Sequence, residues 1–321
     1  MTPKCQIILN RTRERHFKAG QYVTGIVKFS IYKPKRYDSI DISFEGRGKC
    51  SWTQTDSPDD TIIITNKEEY VSINKNLFTP VGDEMVEPGD YEYPFEFLLP
   101  DDIPSSVKTD FCRIHYTIFV RFEKKRTFGA EVKLENEREV PVYGFVEPLT
   151  RGPAPFKVEQ KLRSFNPNNK ITVKGVIDRT FLSPSDIIRL KMMVTNDSNV
   201  AISIKSKLVR HNTYISKEKY STTYVSERSI PGTKETSPLI RANSVTKLER
   251  IIPVLDTLYS IQYSKIMEGE FEVKVTIKAP FPYGKEYARV PVVIGWTKEE
   301  YAALIQRELP PSYSEAISGN N

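Results

Sequence analysis

The stretch Glu87-Pro88-Gly89-Asp90-Tyr91-Glu92-Tyr93-Pro94-Phe95-Glu96-Phe97-Leu98-Leu99-Pro100 carries the pattern that decides the fold. It opens on a cluster of turn-forming residues at 87–90, which favour a tight change of chain direction. It then alternates, so that Phe95, Phe97 and Leu99 fall on one side. Because successive side chains of a strand point to opposite faces, this alternation predicts a strand with one buried face and one solvated face.

The same alternation recurs along the whole chain. In the first half it involves Val23, Gly25, Val27, Phe29 and Ile31, then Ile40, Ile42 and Phe44, then Ile114, Tyr116, Ile118, Val120 and Phe122. In the second half it involves Ile188, Leu190, Met192 and Val194, then Ile202 and Ile204, then Phe271, Val273, Val275 and Ile277. Turn-forming clusters separate the runs, and helical patterns do not intervene. The sequence therefore predicts an all-β protein built from antiparallel β-sandwiches.

A proline-rich segment divides the chain into two similar halves. Residues 148–155 contain three prolines, which remove backbone donors, so we expect a stiff linker there rather than a central strand. Residues 17–23 and 181–187 both place an aromatic residue before a turn and a strand, which is a weak internal repeat. These features predict two tandem immunoglobulin-like sandwich domains, at residues 1–150 and 151–296.

The remaining residues, 297–321, are predicted to form a short tail that begins with a helix. Thr297 and Glu300 have the spacing of a capping box, in which each side chain accepts a hydrogen bond from the backbone amide of the other residue. Tyr301, Leu304 and Ile305 then share a helical face, and Pro310 stops the helix.

Composition indicates a globular protein of the cytosol. The 321 residues are 39% hydrophobic and 27% charged, and no apolar run has the length of a membrane-spanning helix. The amino terminus lacks the apolar core of a secretory signal, and Thr2 stands where N-myristoylation requires glycine. The net charge of +6 is compatible with an anionic membrane surface or phosphorylated partners and does not indicate nucleic acid.

The three cysteines predict buried, reduced thiols. Cys5, Cys50 and Cys112 are odd in number and lack C-x-x-C spacing, so we expect neither a disulfide framework nor a structural zinc site.

Catalytic motifs are not found in the sequence. His16, His115 and His211 are scattered, and there is no nucleophile elbow, phosphate-cradling loop or H-E-x-x-H motif. The segment Gly46-Arg47-Gly48 predicts a β-bulge at a strand end rather than a nucleotide loop. We therefore expect no enzymatic activity, no cofactor and no metal.

One short motif points to a partner. Pro310-Pro311-Ser312-Tyr313 is a P-P-x-Y sequence, whose prolines preset the polyproline II shape that WW domains bind in an aromatic-lined groove. The tyrosine supplies a large, rigid anchor with a polar hydroxyl. Pro310, Pro311 and Tyr313 are therefore candidate WW-domain-binding residues, and the alternative is a proline-rich helix stop without a partner.

Three basic clusters are candidate phosphate- or anion-binding sites, because guanidinium and ammonium groups suit phosphate oxygens. They are Lys33, Lys35 and Arg36 in one loop, Lys124, Lys125 and Arg126 at a strand end, and Lys205 with Lys207 on one strand face. The alternative for each cluster is a solvated edge that protects against aggregation.

The first half of the chain resembles the α-arrestins, also called arrestin domain-containing proteins. Residues 19–27 (AGQYVTGIV) resemble the family's opening A-G-x-x-V-x-G-x-V, and residues 40–46 (IDISFEG) resemble its strand ending in F-x-G. Residues 89–100, followed by Ile103-Pro104-Ser105-Ser106, are similar to its G-x-x-x-x-P-F-x-F-x-L-P and P-S-S hallmark. Residues 114–118 (IHYTI) resemble the I-x-Y-x-I that follows.

The second half continues this resemblance, with some departures. Residues 178–181 (DRTF), 196–198 (NDS) and 290–295 (VPVVIG) are similar to the family's D-R, N-x-S and closing-strand positions. Ser185 replaces the usual turn glycine, and this chain has one P-P-x-Y motif where relatives often have two or more.

The resemblance implies the arrestin fold and a role as a trafficking adaptor. In this interpretation the sandwiches contact the cytosolic tails of membrane proteins, and the P-P-x-Y motif recruits a HECT-type ubiquitin ligase through its WW domains. The protein would then be cytoplasmic and peripheral at the plasma membrane and endosomes, promoting ubiquitination, endocytosis and sorting of cargo. The alternative is a scaffold that acts in signalling or endosomal sorting without a ligase.

Overall fold

The computed structural model describes residues 4–10, 16–57, 60–79, 85–125, 130–162, 169–216 and 223–308. These residues form twenty strands and one helix, which confirms the all-β prediction and the short carboxyl-terminal helix. The strands of the first half are β1 Lys4–Leu9, β2 Phe17–Lys18, β3 Tyr22–Ile31, β4 Ser39–Ser57, β5 Asp60–Phe78, β6 Gly89–Leu98, β7 Val107–Lys108, β8 Cys112–Lys125, β9 Ala130–Val140 and β10 Val142–Tyr143. The later elements are β11 Ala154–Lys161, β12 Lys170–Ile177, β13 Phe181–Leu182, β14 Ile187–Asn196, β15 Ser203–Ile215, β16 Thr223–Ser229, β17 Glu235–Thr236, β18 Ser244–Pro253, β19 Met267–Lys278, β20 Lys285–Ile294 and α1 Lys298–Glu308.

The strands pair into two sets of sheets. In the first half, a three-stranded sheet has the order β1-β3-β6, a five-stranded sheet has the order β5-β4-β8-β7 with β9 on β8, and β2 pairs with β10. In the second half, a four-stranded sheet has the order β11-β12-β14-β18, and a six-stranded sheet has the order β13-β20-β19-β15-β16 with β17 on β15. Each half therefore forms a sandwich of its own.

The predicted alternation corresponds to the observed burial. In β3 every second residue from Val23 to Ile31 is buried, and in β14 the same holds from Ile188 to Asn196. All of the apolar residues predicted to face a core are buried. Gly46 and Arg47 mark a register shift between β4 and β5, as expected for a bulge, although the shift lies inside β4 and not at its end.

The core of the first half is organised around Tyr116, which is fully buried. Gly46 of β4 lies opposite Tyr116 of β8, and a Cβ at position 46 would come within 2.5 Å of the tyrosine ring. The Tyr116 hydroxyl donates a hydrogen bond to the Pro104 carbonyl oxygen at 2.6 Å. Burial raises the pKa of this hydroxyl, which therefore stays protonated and acts as a donor. Three motifs that are distant in sequence thus meet at one ring.

Two serines of the same hallmark secure the end of this half. The Ser105 hydroxyl accepts a hydrogen bond from the Gly144 amide at 2.9 Å, and the Ser106 hydroxyl accepts one from the Val142 amide at 3.0 Å. Buried backbone groups need such partners, so the P-S-S segment stabilises the strand end that leads to the second half.

In the second half, Asn196 has the equivalent organising role. Its side-chain amide donates to the carbonyl oxygens of Val200 at 3.0 Å and Arg241 at 2.9 Å, and its oxygen accepts from the Ser198 hydroxyl at 2.5 Å. Ser185, which replaces the family's turn glycine, has a φ of 70°. This left-handed conformation is the one that glycine adopts without steric cost, which agrees with the turn glycine that the resemblance implies at this position.

The cysteine prediction is wrong for two of the three residues. Cys50 and Cys112 are register partners on β4 and β8 with their Cα atoms 4.0 Å apart, and they form a disulfide bond. Cys5 is free and buried, as expected. The pairing was missed because 62 residues separate the two cysteines, and only the strand register brings them together.

The chain divides into two compact units that differ in detail from the predicted halves. The first unit comprises residues 1–145 together with 213–225 and 261–268, and the second comprises 146–212, 226–260 and 269–321. Ala154 and Pro155, which we placed in a linker, begin β11 instead. Because β11 is an edge strand, it tolerates the proline. The domain boundaries at 150 and 296 stay predictions.

Removing the Tyr116 hydroxyl tests the organisation of the first core. Tyr116→Phe leaves the buried Pro104 carbonyl without this donor, and we expect a loss of about 1–3 kcal/mol in the free energy of unfolding. Chemical denaturation measures it. Tyr22→Phe, at a tyrosine that is 56% exposed, is the control and is expected to leave stability unchanged. Equal stability of the two variants would contradict this account of the core.

Candidate functional site

The P-P-x-Y motif at Pro310-Pro311-Ser312-Tyr313 lies outside the described residues. The element that leads to it, α1, ends at Glu308, two positions before Pro310. The position of α1 therefore shows which part of the protein the chain leaves shortly before the motif.

The start of α1 confirms the predicted capping box. The Thr297 hydroxyl accepts a hydrogen bond from the Glu300 amide at 3.2 Å, and the Glu300 carboxylate accepts one from the Thr297 amide at 3.4 Å. Tyr301 and Leu304 are half-buried, which agrees with a shared face, while the side chain of Ile305 lies outside the described part of the chain.

Contacts within the second unit also fix the first turn of α1. The Arg151 guanidinium donates to the Glu300 carboxylate at 2.8 Å, and the Val146 amide donates to the Trp296 carbonyl oxygen at 3.0 Å. The start of α1 thus has a defined position on the second unit.

The first basic cluster lies in the turn after β3. Lys33 and Arg36 are exposed, whereas Lys35 is half-buried, with its ammonium group 5.0 Å from the centre of the Tyr37 ring. Backbone hydrogen bonds join Lys35 to Val86 at 2.9 and 3.1 Å. Lys33, Lys35 and Tyr37 contribute to the lining of a cavity of 320 Å³. The turn therefore combines a fixed backbone with one ammonium group engaged by an aromatic ring.

The second basic cluster is described only in part. Lys124 is exposed near the end of β8. The side chain of Lys125 and the whole of Arg126 lie outside the described residues. The suggestion that these three residues bind anions stays a prediction.

The third cluster is larger than the sequence indicated. Lys205 and Lys207 lie on the same face of β15, and Lys234, Lys278 and Lys285 are near Lys205. Burial lowers the pKa of Lys205, and the positive charges of the surrounding lysines lower it further. Such a shift is expected where like charges gather without enough counter-charge.

Lys207 differs from Lys205 because it borders a network of ion pairs. Its ammonium group lies 2.5 Å from the Ser229 hydroxyl and 3.9 Å from the Glu227 carboxylate. Glu227 also pairs with Lys274 at 3.1 Å and with Arg289 at 2.8 Å. On this face of the six-stranded sheet, the positive charges near Lys207 are therefore neutralised by ion pairs, whereas the end near Lys205 is cationic.

The sequence did not reveal Lys234, Lys278 and Lys285 as members of this cluster. Lys278 and Lys285 are register partners at the base of the β19–β20 hairpin, and Lys234 precedes β17, which pairs with β15 at Lys205. The local sequence could have indicated that Lys278 and Lys285 lie close together, because they flank a six-residue connection that is rich in aromatic residues and proline. Their proximity to Lys205 follows only from strand pairing.

The histidines do not come together. His211 lies 2.9 Å from Glu272 and 3.0 Å from Arg289, so it belongs to the ion-pair network. His16 packs edge-on against Tyr143, and His115 is half-buried in β8, where burial and Arg113 lower its pKa. Across the described ranges, no group of three or more His, Cys, Asp or Glu residues could hold a metal ion.

The described part of the chain also contains no helix of sufficient length and apolar character to cross a membrane.

Two family models match the chain. Residues 5–143 match the model described as Arrestin (or S-antigen), N-terminal domain, and residues 167–298 match Arrestin (or S-antigen), C-terminal domain. Together the two models cover both halves and end just inside α1.

Similar curated proteins carry arrestin names. Human arrestin domain-containing protein 4 is 21% identical over 230 residues, covering 67% of this chain and 54% of that protein. Human arrestin domain-containing protein 5 is 23% identical over 302 residues, covering 88% of this chain and 84% of that protein. Arrestin-related trafficking adapter 3 of Saccharomyces cerevisiae is 33% identical over 72 residues, covering 22% of this chain and 7% of that protein. The chain thus spans about half the length of the first of these relatives.

The ion-pair network predicts acid sensitivity. Burial alone would raise the pKa of Glu227, but hydrogen bonds from Arg289 and Lys274 outweigh it and lower the pKa to about 2. Because the folded-state pKa is depressed, the stabilisation is present above the unfolded value, 4.5, and is lost as the pH falls towards 2. In thermal unfolding across this window, we expect the wild type to lose more stability than Glu227→Gln.

The control for this comparison is Glu249→Gln, which removes a carboxylate from the four-stranded sheet. If the wild type and Glu227→Gln lost the same amount of thermal stability as the pH falls, this would show that the network does not stabilise the fold.

Proposed function

The chain belongs to the arrestin family as an arrestin domain-containing protein, and from this premise we propose that it is a trafficking adaptor that brings membrane-protein cargo to a ubiquitin ligase. An adaptor of this kind needs one surface for cargo and a second element for the ligase. A relative whose name describes it as an arrestin-related trafficking adapter supports the proposal that this chain is a trafficking adaptor.

The ligase is recruited through Pro310, Pro311 and Tyr313, which bind the WW domains of a HECT-type enzyme. The observation that carries this proposal is the position of P-P-x-Y two residues after a helix whose first turn is capped and paired to Arg151. A polyproline II segment loses little entropy on docking, and the tyrosine ring fills the aromatic groove.

Cargo contact is assigned to the exposed strands of the sandwiches. β18 is an edge strand of the four-stranded sheet, and its outward residues Val245 and Ile251 are 64% and 58% exposed. An extended cytosolic tail of a membrane protein can add to such an edge by main-chain hydrogen bonds while side chains supply selectivity. The ligase then ubiquitinates the cargo, at the plasma membrane or on endosomes, and commits it to sorting.

A titration of the full chain against purified WW domains tests ligase recruitment. We expect binding with a dissociation constant on the order of micromolar, or about −8 kcal/mol, for at least one WW domain. Tyr313→Ala is expected to abolish binding because it removes the aromatic anchor. Ser312→Ala, which changes the unspecified position of the motif, is the matched control and should bind as the wild type does.

Two outcomes would contradict the proposal. One is absence of binding to every WW domain, and the other is binding that Tyr313→Ala leaves intact. Either would favour a scaffold that acts by surface binding without a ligase.

A further inference from the structure

Strand β18 forms a free edge of the four-stranded sheet. Among the described strands only β14 pairs with it, and every second side chain of β18 from Val245 to Pro253 is exposed. An unpaired edge is a template for a further strand, and proteins commonly block it with charged side chains or proline. The order of the side chains on β18 therefore decides whether its edge repels a partner strand or accepts one.

The backbone groups of four residues point out of this edge. The Val254 amide donates to the Asp186 carbonyl oxygen at 2.9 Å, so the backbone of Val254 points towards β14. Because this direction alternates along an antiparallel strand, the even-numbered residues of β18 also point towards β14. The N–H and C=O groups that point away from β14 belong to Val245, Lys247, Glu249 and Ile251. These groups are available to a further strand.

The side chains of these four residues are complementary to a second copy of themselves. When two copies of β18 are aligned antiparallel with Leu248 opposite its own counterpart, Lys247 of each copy lies opposite Glu249 of the other. In the same alignment Val245, which is 64% exposed, lies opposite Ile251, which is 58% exposed. Opposite charges and apolar side chains that face each other across two strands both stabilise a sheet.

Other alignments of the two copies are less favourable. A shift by two residues places either Lys247 opposite Lys247 or Glu249 opposite Glu249, and like charges directly opposite each other destabilise a sheet. A shift by one residue exchanges the two faces of the sheet. The favourable alignment also ends at the same point in both copies. There Asn243, with a φ of 50°, would lie opposite Pro253, which has no N–H.

The two charges on the outward face of β18 lack partners within the chain. In the part of the chain that the structure describes, neither Lys247 nor Glu249 forms an ion pair, and both side chains are exposed. The other edge strand of the same sheet, β11, also carries a lysine and a glutamate two residues apart. Those two, Lys157 and Glu159, pair with each other at 2.6 Å. Charge complementarity therefore points to the β18 edge.

We propose that two copies of this chain pair through β18, so that their two four-stranded sheets join into one continuous antiparallel sheet. The four outward residues of each copy hydrogen-bond across a two-fold axis, and Lys247 pairs with Glu249 on both sides of it. Leu248, half-buried against the core of the second unit, meets its counterpart on the axis. One strand from each copy gives a small interface, so the dimer is weak and reversible.

The dimer goes beyond the proposed function, because it requires neither cargo nor a ligase. One consequence does rest on the proposed function, since cargo contact was assigned to the same edge of β18. A cargo tail and a second copy then exclude each other there, and the dimer is the form that prevails without cargo.

Sedimentation equilibrium of the purified full chain tests the dimer. We expect reversible association with a dissociation constant on the order of 10 micromolar. Glu249→Lys turns both attractive pairs into repulsive ones and is expected to weaken dimerisation by about tenfold or more. The exchanged variant Lys247→Glu/Glu249→Lys restores both attractive pairs, so we expect it to dimerise as the wild type does.

Two further samples separate this edge from general effects of charge. Glu159→Lys makes the same substitution on β11 and is the matched control, which should dimerise as the wild type does. Lys247→Glu should be as weak as Glu249→Lys, but a mixture of these two variants should form heterodimers, because opposite charges then face each other. All the substituted side chains are exposed, so each variant is expected to unfold at the wild-type temperature.

A cross-link reports the alignment of the two strands directly. Leu248→Cys places one thiol of each copy on the two-fold axis, and oxidised glutathione is expected to join the copies by a disulfide. Val245→Cys should not cross-link, because the two substituted positions are then six residues apart along the strands, or about 20 Å.

Three results would overturn the proposal. They are a chain that stays monomeric at about 100 micromolar, a loss of association that the exchanged variant does not recover, and a loss of association in Glu159→Lys. Since these measurements contain neither cargo nor WW domains, their failure would leave the proposed function untouched.

Discussion

Close packing of an aromatic ring over a glycine on the neighbouring strand is the constraint on which both sandwiches depend. Gly46 lies opposite Tyr116, Gly25 opposite Phe95 and Gly175 opposite Phe156, and a Cβ at any of these glycines would come within 2.6 Å of the facing ring. The ring covers the space that a glycine leaves in a sheet, and the missing Cβ makes room for the ring. Register is therefore specified by shape as well as by alternation, because a slip of one residue in any of these strand pairings would remove its glycine–ring pair.

This rigid framework determines where functional groups can appear. The sheets fix the base of the β19–β20 hairpin, and through it the position of Phe281 and its neighbouring lysines. They also fix the first turn of α1 through Arg151 and Glu300. The sheets of the second unit thus hold the β19–β20 hairpin, the edge strand β18 and the first turn of α1 in defined positions.

Features that depend on the local sequence pattern were predicted, whereas features that depend on which strands pair with each other were missed. Alternation identified the buried faces, and the spacing of Thr297 and Glu300 identified the helix start, because both are set by neighbours within a few residues. The Cys50–Cys112 disulfide, the gathering of lysines around Lys205 and the assignment of residues 213–225 and 261–268 to the first unit were not predicted. Each of these depends on which strands lie side by side, and the alternating pattern does not encode that order. The candidate WW-binding residues were found as a motif and stay a prediction.

The central claim is that one chain brings membrane-protein cargo to a ubiquitin ligase, and the most direct measurement is the ubiquitination of the membrane proteins that co-purify with the full chain from cells. We expect these proteins to carry ubiquitin when they co-purify with the wild type, and to co-purify with Tyr313→Ala in equal amount but with little ubiquitin. Equal ubiquitination of the co-purifying membrane proteins in the two samples would contradict the claim.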